Sequence, residues 1–300
     1  MSTATVAQPI KTNWIPFATA GATALAGYTY YQTSNKLSAE SKAALIGDDQ
    51  WVDIKVKEVI TINHNVKRVI FELPSSEHVL GLSTASCVLT KFIRPENGKA
   101  VIRPYTPVSD PAQTGEFELI IKSYQKGLMS NHIHGLNPGE VLSFKGPIVK
   151  YRWEPNLHNE IALLGGGTGI TPLYQLIHAI DSNPNDKTKV HLFFANIGEE
   201  DILLKSELEQ IFKKKPDQFK LHLFLEKAPN NWDGGVGYIT KEYLSKELFP
   251  SSAENVKVFV CGPPPFYEAI SGNKVSPTDQ GELKGHLKDL GFTKDQVFKF

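Results

Sequence analysis

Cysteine is scarce in this chain of 300 residues, with Cys87 and Cys261 its only two. Two thiols cannot build a disulfide framework, and their separation is not that of a structural zinc site. Nor can the chain ligate an iron-sulfur centre of its own, which needs a cysteine cluster. An excess of one charge is lacking as well, since 32 basic residues balance 32 acidic ones. No global field draws the chain toward nucleic acid, which is not expected as a partner. No arginine precedes Arg68, so an Arg-rich amphipathic transit peptide is not expected either. Internal repeats and low-complexity tracts are absent.

What is present is enough apolar residue to build cores, 41% of the chain with 10% aromatic. This length suits about two domains. Charge is missing over one long stretch, "WIPFATAGATALAGYTYY" (14–31), which lies uncharged between Lys11 and Lys36. As a helix it would span roughly 27 Å, close to the thickness of a hydrocarbon core. Trp14 at one end and Tyr28, Tyr30 and Tyr31 at the other suit the membrane interfaces. Residues 14–31 are therefore read as a single membrane anchor behind a tail at 1–13. A cleaved targeting segment and an apolar helix docked on the protein are two other readings of the same residues, and the flanking lysines do not fix an orientation. The small polar residues 32–50 read as a tether.

From 51 to 152 the sequence alternates β-branched runs ("WVDIKVKEVITI", "SCVLTKFI", "EFELIIKSY") with turns such as "NHN", "PENG" and "NPGE". This pattern predicts an antiparallel barrel or sandwich. From 159 to 300 nearly unbroken apolar strands alternate with helical segments, beginning with "IALLG" and "TPLYQLIHAI", which predicts a parallel sheet covered on both faces. The stretch 153–159, "WEPNLHN", reads as the link between the two.

Four segments carry chemistry. In "RPYTPVS" (103–109) alternate positions share a strand face, so Arg103 and Tyr105 can address one ligand, the guanidinium pairing with phosphate and the ring covering a base or sugar. In "KGLMSNHI" (126–133) Gly127 and Ser130 form either a second anion-binding turn or an ordinary helix start capped by Ser130. In "GGGTGITP" (165–172) bare backbone between a strand and a helix lets a phosphate reach unpaired N–H groups at the helix start. No G-K-[ST] ending follows, so this is not a nucleoside-triphosphate loop. The fourth is "CGPP" (261–264).

In this order the four motifs resemble the signature series of the ferredoxin-NADP reductase superfamily, and within it the NADH-cytochrome b5 reductases, over residues 51 to 300. With the apolar N-terminus, the resemblance is to the mitochondrial, fungal type. It implies an FAD-binding β-barrel over 51–152 followed by a Rossmann-like NAD-binding domain over 159–300. It also implies a membrane-anchored enzyme of the mitochondrial outer membrane that passes hydride from NADH to FAD and then single electrons to cytochrome b5. A cleaved soluble form in the intermembrane space and residence in the endoplasmic reticulum are the other locations considered.

The resemblance assigns residues as well. Arg103, Pro104, Tyr105, Thr106 and Ser109 match the flavin motif, the arginine on the pyrophosphate and Thr106 at the ring. Gly127, Met129 and Ser130 match the second phosphate-binding turn, and Lys122 matches a lysine near the pyridine nucleotide. Gly165, Gly166, Gly167, Thr168, Gly169, Thr171 and Pro172 match the nucleotide loop, with Thr171 close to both cofactors. Cys261, Gly262, Pro263 and Pro264 match the loop whose cysteine approaches nicotinamide and flavin, and Phe300 matches an aromatic residue near the flavin ring. Cys261, Thr171 and Thr106 are thus the residues expected nearest the transfer, Cys261 as a positioning group. Asp233, in "NNWDGGVG", matches an acidic residue at the adenosine ribose, which favours NADH over NADPH; a turn-capping aspartate is the other reading. No metal site is expected, and His132 and His134 read as surface or capping histidines. A same-fold reductase for a quinone, an iron-sulfur protein or a small oxidant, and a non-catalytic tethered scaffold, are the alternatives to this function.

Overall fold

The computed structural model describes residues 42–300. The expected anchor at 14–31 lies outside the described residues, and among those described no helix is long and apolar enough to cross a membrane. The first half comprises β1 (Val52–Thr61), β2 (Val66–Glu72), β3 (Ser86–Ile93), β4 (Ala100–Tyr105), β5 (Glu116–Lys122), α1 (Leu128–Gly135) and β6 (Val141–Val149). Its strands form one antiparallel sheet in the order β4-β3-β6-β1-β2-β5. One face is buried: Ile54 and Val56 on β1, and Leu142 and Phe144 on β6, alternate with more exposed neighbours. Phe71, Phe117 and Phe144 fill the centre with ring centroids 4.9–5.2 Å apart. β4 and β5 are the two edges, and α1 packs against both, so the curled sheet is plugged by a helix where its edges part.

The second half begins with β7 (Glu160–Gly166), α2 (Ile170–Ser182), β8 (Lys189–Asn196), α3 (Lys205–Lys214), β9 (Phe219–Leu225) and β10 (Gly235–Val236). It continues with α4 (Lys241–Glu247), β11 (Val256–Cys261), α5 (Pro264–Ile270), α6 (Gly285–Asp289) and β12 (Val297–Lys299). All six strands run parallel in the order β10-β9-β8-β7-β11-β12. Residues 161–166 of β7 are all buried, as a strand covered on both faces must be. The chain moves outward from β7 to β8 and β9, then returns to place β11 on the other side of β7. The reversal lies between β7 and β11, and the loops leaving their carboxyl ends flank the crevice where such sheets bind ligands.

One helix starts later than its pattern suggests. The apolar period runs from Asp201, yet α3 begins at Lys205, after Leu204 in the left-handed region at φ 57°. The Asp201 carboxylate is committed elsewhere, accepting from the Gly198 amide at 3.1 Å and pairing with Lys122 at 3.0 Å. Ile202, Leu203 and Leu204 are buried in the core instead.

The halves share that core. Val66, Ala85, Val108 and Ile120 from the antiparallel half belong to the same cluster as Leu173, Tyr174 and Ile177 of α2. Gln175, 6% exposed, clamps the seam: its side-chain oxygen accepts from the Ser86 amide at 3.1 Å and its nitrogen donates to the Pro107 carbonyl at 3.1 Å. Arg68 bridges as well, reaching Glu118 in its own half at 3.2 Å and Glu207 of α3 at 2.8 Å.

Candidate functional site

The crevice is built by the two loops at the reversal point. β11 and β7 pair in a register that sets Cys261 opposite Gly165, so the "GGGTG" and "CGPP" segments leave the sheet side by side. They touch at Gly169: a Cβ there would lie 2.1 Å from the Cys261 carbonyl oxygen, which only glycine permits. Gly167 adopts φ 53° with no atom within 4 Å of where its Cβ would stand, so bare backbone faces open space. The 3₁₀ turn Gly167–Gly169 runs directly into α2 and its Gly167 carbonyl accepts from the Ile170 amide, so the positive end of the helix dipole falls at this glycine turn. Pro172 sits within the first turn of α2, where its missing N–H removes no helical bond. Thr171 is buried, with its hydroxyl donating to the Thr168 carbonyl at 3.3 Å.

Cys261 ends β11 half-buried, and after Gly262 the residue Pro263 caps α5, which starts at Pro264. Burial pushes the Cys261 thiol up to about 11, against the opposing influence of Tyr267 and Lys274. At neutral pH it is therefore a thiol and not a thiolate nucleophile. Tyr267 donates to the main-chain oxygen of Phe300 at 2.8 Å, and the Phe300 ring stacks on Phe259 at 5.9 Å. Gly262 and Phe300 thus stand beside the cysteine in the same corner.

Across the seam, β4 is an edge strand with Arg103 and Pro104 exposed and Tyr105 half-buried against the core of its half. Arg103 pairs with no carboxylate among the described residues, and its guanidinium donates only to the Ile102 carbonyl, at 2.7 Å. Burial, then the neighbouring Tyr124, pushes Tyr105 up to about 12, with Arg103 opposing, so it is a neutral phenol. Thr106 is half-buried at the strand's exit. At the turn before α1, Gly127 donates to the Tyr124 carbonyl at 2.8 Å, and Ser130 donates to the Gly127 carbonyl at 3.3 Å. Met129 is a core side chain, 2% exposed, so only its backbone is available to a phosphate.

Three matched residues are placed differently from the rest. Lys122 is tied across the seam to Asp201. Ser109 accepts from the Glu118 amide at 3.1 Å and lines a separate cavity of about 310 Å³ against α2, together with Trp153 and His178. Asp233 lies in the loop after β9, in another cavity shared with Glu199 and Lys205 and with none of the glycine-loop residues. His132 stacks on Phe92 with centroids 3.9 Å apart, and His134 bonds the Ile121 carbonyl at 2.8 Å, which leaves both as structural groups.

Tyr124 is the residue that sequence reasoning missed. Its hydroxyl lies 3.2 Å from the Thr168 hydroxyl, joining the flavin-motif half to the nucleotide loop. Its place two residues after Lys122, immediately before the Gly127 turn, was the available signal. Gln175 was hidden inside an amphipathic helix pattern and carried no comparable mark.

The exposed Arg103, with no carboxylate partner among the described residues, and the bare Gly167 backbone each suit a phosphate-bearing cofactor. Comparison with known proteins agrees. Residues 53–153 match the model of the oxidoreductase FAD-binding domain, and residues 163–272 that of the oxidoreductase NAD-binding domain. The chain is 58% identical to NADH-cytochrome b5 reductase 2 of Yarrowia lipolytica, over 96% of this chain and 99% of that one. It is 55% identical to NADH-cytochrome b5 reductase 2 of Candida albicans, over 95% of each. Among solved structures, the cytochrome b5 reductase domain of Ulva prolifera nitrate reductase matches with a TM-score of 0.75 and 29% identity, covering 86% of this chain and all of that one. With both cofactor-binding domains matched and more than half its residues shared with full-length relatives, the chain belongs to the NADH-cytochrome b5 reductase family and uses FAD and NADH.

Proposed function

We propose that this protein carries electrons from NADH through FAD to cytochrome b5 while anchored to the mitochondrial outer membrane by residues 14–31. The observation that carries the electron path is the contact of Gly169 with Cys261, which leaves no room for a side chain between the nucleotide loop and the "CGPP" loop. Bound there, the cofactors would supply the chemistry, hydride transfer from NADH and single-electron release from the flavin.

The chain's own residues bind and orient. Arg103 receives the flavin pyrophosphate, with the backbone of the Gly127–Ser130 turn as a second phosphate contact. Tyr105 covers the flavin as a neutral phenol, and Thr106 addresses its ring. The α2 N-terminus takes the nicotinamide-dinucleotide phosphates. Thr171 would address both cofactors, and Cys261 keeps its proton on Sγ, a neutral, polarisable group beside them. Lys122 stays on Asp201, orienting the loop after β8 rather than pairing with substrate. Asp233 takes the adenosine ribose at the far end.

NADH should rapidly reduce the haem domain of cytochrome b5 through the purified yellow protein, faster than it reduces quinones. Equal or slower haem reduction alongside rapid quinone turnover would assign a different acceptor. The anchor reading is supported by the uncharged run flanked by interfacial aromatics. Full-length protein should stay with mitochondrial outer membranes through alkaline carbonate washing, and protein lacking residues 14–31 should be released. Release of both forms would remove the anchor.

A further inference from the structure

The cavity holding Asp233 sits at the carboxyl ends of β8 and β9, neighbouring parallel strands whose following loops bring in Glu199 and Asp233. It measures about 270 Å³, and Leu223 and Trp232 supply an apolar wall suited to a purine. The indole is held in place by its donation to the Gly235 carbonyl at 3.1 Å. Asn231 adds a neutral amide, and the charged lining comes from Glu199, Glu209 and Asp233, against Lys205 as the single cation among the lining residues. That cation is already engaged. Its ammonium lies 2.7 Å from one Glu199 oxygen and 3.7 Å from one of Glu209. The hydrogen bond to Glu199 raises its pKa, so Lys205 stays charged and paired throughout the neutral range.

A ribose hydroxyl and a ribose phosphate meet this lining differently. A free 2′-hydroxyl donates to a carboxylate at no electrostatic penalty. A 2′-phosphate carries roughly two negative charges and needs a cation to replace its water. In this cavity it would face three carboxylates with the one ammonium occupied, and like charges placed together repel.

We propose that Glu199 sets the nucleotide specificity of this site by occupying Lys205, the one lining side chain whose positive charge could otherwise offset a 2′-phosphate. This makes the preference for NADH depend on a neutralised lysine as well as on Asp233. The inference rests on the reading of this cavity as the adenosine end of the NADH site.

The test is calorimetric binding of 5′-AMP and 2′,5′-ADP to the flavin-loaded protein, a measurement that requires no turnover. Wild-type protein should bind 5′-AMP more tightly than 2′,5′-ADP. Glu199→Gln should shift the ratio toward 2′,5′-ADP by about tenfold, and adding Lys205→Met to it should erase that gain. The ratio of kcat/KM for NADPH over NADH should move in parallel. A ratio unchanged by Glu199→Gln, or a gain that survives Lys205→Met, would overturn the inference while leaving the adenosine site in place. Failure of wild-type protein to bind either nucleotide, or 5′-AMP binding indifferent to Asp233→Ala, would overturn the reading of the cavity and this inference with it.

Discussion

The two halves offer phosphate-bearing cofactors opposite kinds of surface. On β4 the protein reaches out with side chains, Arg103 exposed and Tyr105 half-buried along an edge strand. At the β7–α2 loop it withdraws them, leaving Gly167 open and Gly169 pressed against the Cys261 carbonyl. One half is therefore damaged by deletion and the other by addition. The reason is topological. An edge strand of an antiparallel sheet has a free side from which side chains extend, whereas the ends of buried parallel strands offer mainly backbone and helix dipole.

The largest effect should come from adding a single methyl where none fits. Gly169→Ala places Cβ 2.1 Å from a backbone oxygen and should cost several kcal/mol, about 3 or more if the loops are forced apart. Thermal unfolding and NADH titration of the flavin-loaded variant would show it; near-wild-type values for both would mean that the two loops are not in fixed contact. Next comes deletion on the other side, where Arg103→Ala removes a charge-assisted contact worth about 1.5–3 kcal/mol and should weaken FAD binding roughly 10- to 100-fold. Purified variant that stays fully yellow through dialysis would break the contrast.

The seam itself should rank third. Gln175→Ala strands the Ser86 amide and the Pro107 carbonyl, and each unpaired buried group costs about 1–3 kcal/mol. Unfolding by urea should show the loss, with the two halves separating before either melts; a single transition at the wild-type midpoint would refute the clamp.

A smaller effect follows from acid. Burial lowers the pKa of His191, against Glu160, and of His222, so the folded protein prefers both neutral. For a histidine depressed in this way, stability is intact above the unfolded value near 6.5. It falls as the pH drops through that value toward the lower folded one, by up to about 1.4 kcal/mol per pH unit per proton. His222→Phe keeps the stack on Phe193, now 4.5 Å between centroids, and should flatten the acid limb of Tm against pH. An unaltered limb would assign the acid sensitivity elsewhere. The smallest change is expected for Tyr124→Phe, which loses one exposed hydroxyl bond to Thr168 worth about 1 kcal/mol or less. It should alter the stopped-flow rate of flavin reduction by only a few-fold, and a collapse of that rate would make this bond the main tie across the cleft.

Legibility in the sequence follows the range of the interactions. The antiparallel and parallel halves could be read because hydrophobic period and turn residues are local, and β3 occupies the run "SCVLTKFI" from end to end. The glycine loop and "CGPP" could be read because each compresses its chemistry into a few consecutive residues. The packing of α1 against both sheet edges, the late start of α3 and the commitment of Lys122 could not. Lys122 and Asp201 are 79 residues apart, and Gln175 lies 89 from Ser86 and 68 from Pro107, so no window of sequence contains either pairing.

The sequence by itself determined which segments are strand or helix, where side chains are withheld, and which cofactors the motifs suit, since propensity, pattern and bare backbone are properties of neighbouring residues. Only the tertiary structure decided which of those groups meet. Parallel pairing of β7 with β11 brings Gly169 onto Cys261, packing of α2 against the antiparallel half traps Gln175, and the loops after β8 and β9 with the start of α3 set Glu199 and Lys205 beside Asp233. Such contacts depend on chain reversal and burial over long separations, where the free energy comes from the whole core and not from any local stretch.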